Sequence, residues 1–154
     1  MRQTYVILHN IRSAHNVGSV FRSADGAGVT KIFLTGYTPS PVDRFGRERT
    51  EIVKTSLGAT HTVPYESVSD VEVIIMQLKE KGVRVVAVEQ TEEALDYRAA
   101  SLEGNVAFIF GNEITGVEPE VLKLSDAHIM IPMAGSKESL NVSVCAGIIL
   151  FHFK

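Results

Sequence analysis

Five short apolar runs, spaced through the chain and separated by segments of helical period, set the strongest limit on what it can fold into. Tyr5-Val6-Ile7-Leu8, Lys31-Ile32-Phe33-Leu34, Val83 to Val88, Val106 to Phe110 and His128-Ile129-Met130-Ile131 are rich in β-branched and aromatic residues. Apolarity over strand length without polar alternation is the pattern of parallel strands covered on both faces. Between the first two runs, Val17, Val20, Phe21, Ala24 and Ala27 recur at helical spacing, and Gly28 stands where a C-cap would. Val68, Val71, Ile74, Ile75 and Leu78 repeat that spacing, followed by Lys79, Lys81 and Gly82, which suit the negative end of a helix. The alternation predicts an α/β domain, a mostly parallel sheet flanked by helices. A length of 154 residues fits one domain with a packed core.

The last segment, Asn141 to Phe153, is apolar almost all round. A helix of that kind buries more than one side; it could be internal, but a homodimer through the C-terminal helix is expected, with Ala146 and Gly147 permitting close approach. The longest apolar stretch, Val144 to Phe151, is too short to span a bilayer, and Met1 to Asn10 is too short in apolar residues for a signal segment. Cys145 is the sole cysteine, which excludes an internal disulfide and any multi-cysteine zinc site. Together these predict a cytoplasmic protein with no membrane partner. Two connections, Gly36 to Thr50 and Glu89 to Asn105, are long enough to be functional or mobile.

Several common signatures fail. Gly111 to Gly116 has P-loop glycine spacing, but Val117 and Glu118 stand where Lys and Ser/Thr would reach phosphate and Mg²⁺. His9-Asn10-Ile11-Arg12 follows the first strand in place of a glycine-rich dinucleotide turn. The five histidines show no paired spacing, so no metal is expected. Three polar segments remain at strand ends or helix starts, where open α/β sheets bind ligands. In Asn16-Val17-Gly18-Ser19-Val20-Phe21-Arg22, Gly18 and Arg22 at i and i+4 share a face, which would leave a guanidinium over a surface free of side chains. The plainer alternative is that Asn16 caps the helix and Arg22 is solvated. Gly111-Asn112-Glu113 puts a polar pair at a strand's carboxyl end, or else makes an ordinary turn. Ile131 to Ser143 is either a loop with a helix cap at Ser139 or Asn141, or a cradle of free backbone groups for a polar ligand.

These three segments, in this order, resemble the SpoU/TrmH branch of the SPOUT RNA methyltransferases. The resemblance rests on N-x-G-x-x-x-R (Asn16, Gly18, Arg22), F-G-N-E-x-x-G (Phe110 to Gly116) and I-P-M-x-G-x-x-x-S-L-N-V-S (Ile131 to Ser143). Lys54-Thr55-Ser56-Leu57-Gly58-Ala59 adds a fourth match, and the likeness spans nearly the whole chain. It implies a C-terminal deep trefoil knot, against the usual rule that chains do not thread. It also implies a dimer with active sites near the interface, and transfer of a methyl group from S-adenosylmethionine to a ribose 2′-hydroxyl of tRNA or rRNA. Gly111, Ile131, Ser139 and Leu140 would line the cofactor pocket. Arg22, Asn16, Glu113 and Asn141 would form the catalytic set. The family's proposed general base matches Arg22, but a guanidinium holds its proton firmly, so stabilising a phosphate and the developing alkoxide is the alternative role.

The chain starts at the first strand and stops at the last helix, which predicts a single methyltransferase domain over 1–154 with no RNA-binding extension. RNA would then be held by the 36–50 loop, through Arg44, Arg47 and Arg49, with Lys54 beyond it. The whole-chain net charge of −3 hides an asymmetry: residues 1–60 hold 8 Lys plus Arg against 4 Asp plus Glu. The competing reading is a knotted RNA-binding module without transfer activity.

Overall fold

The computed structural model describes all residues, 1–154. Seven parallel strands form one sheet in the order β3-β2-β1-β6-β4-β7-β5. They are β1 (Thr4–His9), β2 (Lys31–Thr35), β3 (Tyr65–Val68), β4 (Arg84–Val88), β5 (Leu95–Asp96), β6 (Val106–Phe110) and β7 (Ala127–Met130). All five apolar runs are strands. Side chains alternate between the faces, and each face has its own core. Val6, Leu8, Ile32, Leu34, Val86, Phe108 and Phe110 point to one side, under α1 (Ala14–Ala27) and α6 (Val142–His152). Ile7, Phe33, Val85, Ala107 and Ile109 point to the other, under α4 (Val71–Glu80) and α5 (Pro119–Leu124).

α1 runs as its spacing predicts and ends at Gly28, whose φ of 73° is the left-handed cap conformation. Its N-cap is Ser13, whose hydroxyl accepts from the Asn16 N–H, so Asn16 is not the cap. Val68 belongs to β3 and not to the following helix, because Asp70 caps α4 by accepting from the Glu72 N–H at 2.9 Å. The periodic pattern crossed a strand–helix boundary there. Strands β3 and β5 lie at the two edges of the sheet, where half-exposed polar sequences leave no apolar run to read. Helices α2 (Thr50–Ser56), α3 (Ala59–Thr62) and α5 are too short for a periodic pattern.

Gly18 is where α1 and α2 touch. A Cβ there would overlap the Thr55 hydroxyl and stand 2.7 Å from the Ile52 carbonyl. Gly18 therefore does not leave an open surface beside Arg22; the space is filled by α2. Parallel pairing of β1 with β6, Leu8 opposite Phe110, brings the loops after these two strands side by side. That adjacency builds the site. No helix is long and apolar enough to cross a membrane.

Candidate active site

The loop after β6 is the centre of the site. Gly111 is buried, and a Cβ on it would stand 2.5 Å from both Gly116 O and Val117 N. Only glycine lets residues 112–116 fold back this tightly. Asn112 closes the turn: its Oδ1 accepts from Ile114 N (2.8 Å) and Thr115 N (2.9 Å). Its Nδ2 reaches across to the neighbouring loop, donating to Asn10 O and to the Tyr37 hydroxyl, each at 2.9 Å. Glu113 reaches the same way. Its carboxylate accepts from Arg12 N (2.9 and 3.1 Å) and Ser13 N (3.3 Å), just before α1.

Two further ties complete the frame. Glu89, after β4, accepts from Val117 N at 2.9 Å and from Gln90 N at 2.8 Å. The Gln90 side-chain amide donates to Ile131 O at 2.8 Å. The loops after β4, β6 and β7 thus converge on a cavity of about 250 Å³. Gly111, Ile131, Ser139 and Leu140, the four residues expected to line a cofactor pocket, all line it, as does Glu113. The wall contains Phe110, Met130, Val142 and Cys145 on the apolar side and Glu89, Glu113 and Glu138 on the polar side, with no Lys or Arg. Such a wall suits a ligand that carries an apolar planar group and a positive centre. Burial and the nearby Glu89 charge push the Cys145 thiol up to about 12, so it is an inert part of the apolar wall.

The remaining catalytic candidates divide. Asn141 caps α6 by accepting from Ser143 N (2.9 Å), and its Nδ2 donates to Asn16 Oδ1 at 3.2 Å. Asn16 is only 6% exposed, so this bond ties α6 to α1 directly beside Val142 of the cavity wall. Arg22 stands apart. It is exposed on α1, has no ion pair, and lines no part of the cavity. Six residues along a helix from Asn16 displace it by about 9 Å and turn it well off the same face.

A second, open groove of about 610 Å³ lies on the other side of the Asn10–Arg12 segment. Arg12, Arg44 and Arg49 line it, with Tyr37, Thr38, Pro39, Ser40 and Val42. None of the three arginines is ion-paired. Of the four residues expected at RNA, Arg44 and Arg49 are in this groove. Arg47 turns instead to Asp43 (3.3 Å), whose carboxyl it helps hold below its usual range, and Lys54 is exposed on α2 outside the groove. Asn10, Tyr37 and Glu89 carry no local signal in the sequence, whereas Asn112 is half of the polar pair read at the end of β6.

A family model described as the SpoU rRNA Methylase family matches residues 3–151. The chain belongs to the SpoU methylase family. Among its curated relatives is a 23S rRNA (guanosine-2′-O-)-methyltransferase of Ralstonia nicotianae, 35% identical over 96% of this chain and 56% of the relative. A tRNA (guanosine(18)-2′-O)-methyltransferase of Aquifex aeolicus is 30% identical over 96% of this chain and 66% of that protein. The crystal structure of an AdoMet-bound rRNA methyltransferase from Sinorhizobium meliloti superposes with a TM-score of 0.87 at 33% identity, over 97% of this chain and 54% of that one. This SpoU-family chain therefore spans just over half the length of its rRNA relatives.

Proposed function

We propose that this protein is an S-adenosylmethionine-dependent RNA methyltransferase that modifies a ribose 2′-hydroxyl of tRNA or rRNA. One observation carries the reading: Asn112 and Glu113 of a cation-free cavity bearing three carboxylates are hydrogen-bonded to Tyr37 and Arg12 of an open groove lined by three unpaired arginines. A cationic small molecule and a polyanion would meet across those bonds. When bound, the cofactor supplies a methyl group on a positively charged sulfur. Gly111, Ile131, Ser139 and Leu140 would hold it, with the carboxylates favouring its charge.

The protein's task is then to place a 2′-oxygen in line with that methyl group, so that the O–C bond forms as the S–C bond breaks, leaving a neutral thioether, and the hydroxyl proton passes to water. Positioning alone contributes much of the barrier reduction in such a transfer. Asn16 and Asn141 hold the start of α6 against α1 beside the cavity, and Glu113 holds the Arg12 segment; these act as positioning residues. Arg22 would contact phosphate and stabilise the developing alkoxide. It lies one turn before Gly26, where a Cβ would stand 3.1 Å from the Phe151 ring of α6, so it borders the face on which a second copy would pack. In the homodimer proposed through α6, Arg22 would serve the neighbouring copy's cavity.

The knotted C-terminal path belongs to the same proposal. Residues 131–141, held to Gln90, lead from β7 near one edge of the sheet to α6, which packs on α1 over its centre. Joining the two chain ends covalently and denaturing the circle tests it, since a threaded circle stays more compact than an unthreaded one. The proposal also takes residues 1–154 as one catalytic domain acting on cytoplasmic RNA, with Arg44 and Arg49 in contact and Arg47 and Lys54 at the margin.

The deciding experiment incubates total RNA with labelled cofactor and maps methylated nucleotides. Label on ribose 2′-oxygens is the expected result, and label on base nitrogens alone would overturn the assignment. RNA binding with no transfer would favour the knotted binding module. Under single-turnover conditions with saturating RNA, Arg22→Lys should fall at least tenfold in transfer rate, because Lys lacks the two-pronged fork.

A further inference from the structure

Tyr37 is the one aromatic side chain in the arginine groove, and its environment is unusual for an exposed tyrosine. It is 61% exposed, yet both of its ends are held. The hydroxyl accepts from Asn112 Nδ2 at 2.9 Å, and the backbone N–H donates to Asn10 Oδ1 at 3.2 Å. Gly36, at a φ of 62°, supplies the left-handed turn that aims this residue, and a Cβ there would collide with the Asn10 side chain. The ring is thus tethered at both ends while most of the residue faces solvent. Phe45, the other exposed aromatic of the same loop, differs: guanidinium groups of Arg44 and Arg47 lie 4.8 and 5.0 Å from its centroid. No aromatic or cationic partner covers Tyr37.

A tethered, exposed aromatic ring beside unpaired arginines is the arrangement that binds single-stranded nucleic acid, by stacking a base while cations follow the backbone. We infer that Tyr37 is the stacking platform for one unpaired nucleobase of the substrate RNA, with Arg12, Arg44 and Arg49 on the adjoining phosphates. This rests on the RNA methyltransferase reading and adds the residue that sets the position of the strand. Arg12 and Tyr37 are both tied to the loop after β6, by Glu113 and Asn112, so the stacked base is held in fixed relation to the cofactor cavity. A stacking site of this kind accepts any base but requires that one be unpaired, which selects loops and splayed strands over continuous duplex.

The chain has no tryptophan, which makes a direct test available. In Tyr37→Trp the sole indole reports stacking by loss of emission. Titration with a short single-stranded RNA of mixed sequence should quench it saturably, while an abasic oligonucleotide of equal charge should not. In direct binding of the same RNA, Tyr37→Ala should bind roughly fivefold to 100-fold more weakly than the unaltered protein, and Tyr37→Phe, which keeps the ring but loses its tie to Asn112, should fall between the two. Equal quenching by the abasic strand would overturn stacking and leave a plain anion groove, open to acidic peptides as much as to RNA. Loss in Tyr37→Phe as large as in Tyr37→Ala would overturn it too, making the tyrosine a prop for Asn112. Should the unaltered protein methylate RNA while Tyr37→Ala binds and transfers equally well, the inference fails alone. If the unaltered protein neither binds RNA nor transfers a methyl group, the underlying reading fails with it.

Discussion

Glu113 shows how a residue's neighbours can redirect a chemical expectation. A motif carboxylate at a strand's end invites the role of proton acceptor, but both of its oxygens already accept from the Arg12 and Ser13 N–H groups. Through these bonds it holds the β1–α1 loop. Glu113→Gln keeps one acceptor oxygen, so methyl transfer should fall by about tenfold or less, the cost of roughly one hydrogen bond; loss beyond a thousandfold in single-turnover assays would restore the base role. Cys145 gives a pH-dependent prediction. Its thiol is held up to about 12 from an ordinary value of 9.0, so the folded state binds the proton more tightly than the unfolded chain. The resulting stability is complete below pH 9 and is lost as pH rises from there toward 12. Cysteine alkylation at pH 8 should therefore be slow in the native protein and fast in denaturant, and Cys145→Val should flatten the alkaline fall in stability seen by denaturant titration.

Helix contacts follow from small residues and apolar faces. Gly18 matches a family motif, yet its observable role is to let α2 lie against α1. Gly18→Ala should overpack that contact and cost about 1–3 kcal/mol, lowering Tm by about 2–4 °C for each kcal/mol in thermal unfolding. Cofactor affinity should be unchanged, since Gly18 does not line the cavity. α6 combines a buried side, Ala146, Ile149 and Leu150, with an uncovered one where Val144 is 50% and Phe151 46% exposed. The homodimer proposed above would cover this exposed apolar face. Phe151→Glu should yield monomers in sedimentation, and if Arg22 serves the neighbouring cavity, transfer should be lost while cofactor binding persists.

At the scale of the molecule, charge is distributed against its sum. The net value of −3 says little about RNA, because three unpaired arginines gather in one groove while carboxylates line the neighbouring cavity. Three phosphate contacts predict that the logarithm of RNA affinity falls with the logarithm of salt concentration with a slope of about −2. Filter binding across a salt series measures it, and a slope near zero would deny the groove that role. The amino-acid order alone determined the five inner strands, the long first helix and the last one, because apolar period is a short-range property that each segment carries with it. It also marked Gly111, Ile131, Ser139 and Leu140, since their motifs are contiguous. Edge strands and short helices were not legible, having too little apolar surface or length to impose a period. Tertiary structure alone decided what the motifs do to one another. Setting β1 beside β6 let Asn112 and Glu113 grip Asn10, Arg12 and Tyr37, partners 75 to 102 residues away. It also left Arg22 outside the cavity, since a side chain's partners are fixed by the order of strands in the sheet and not by its place in the chain.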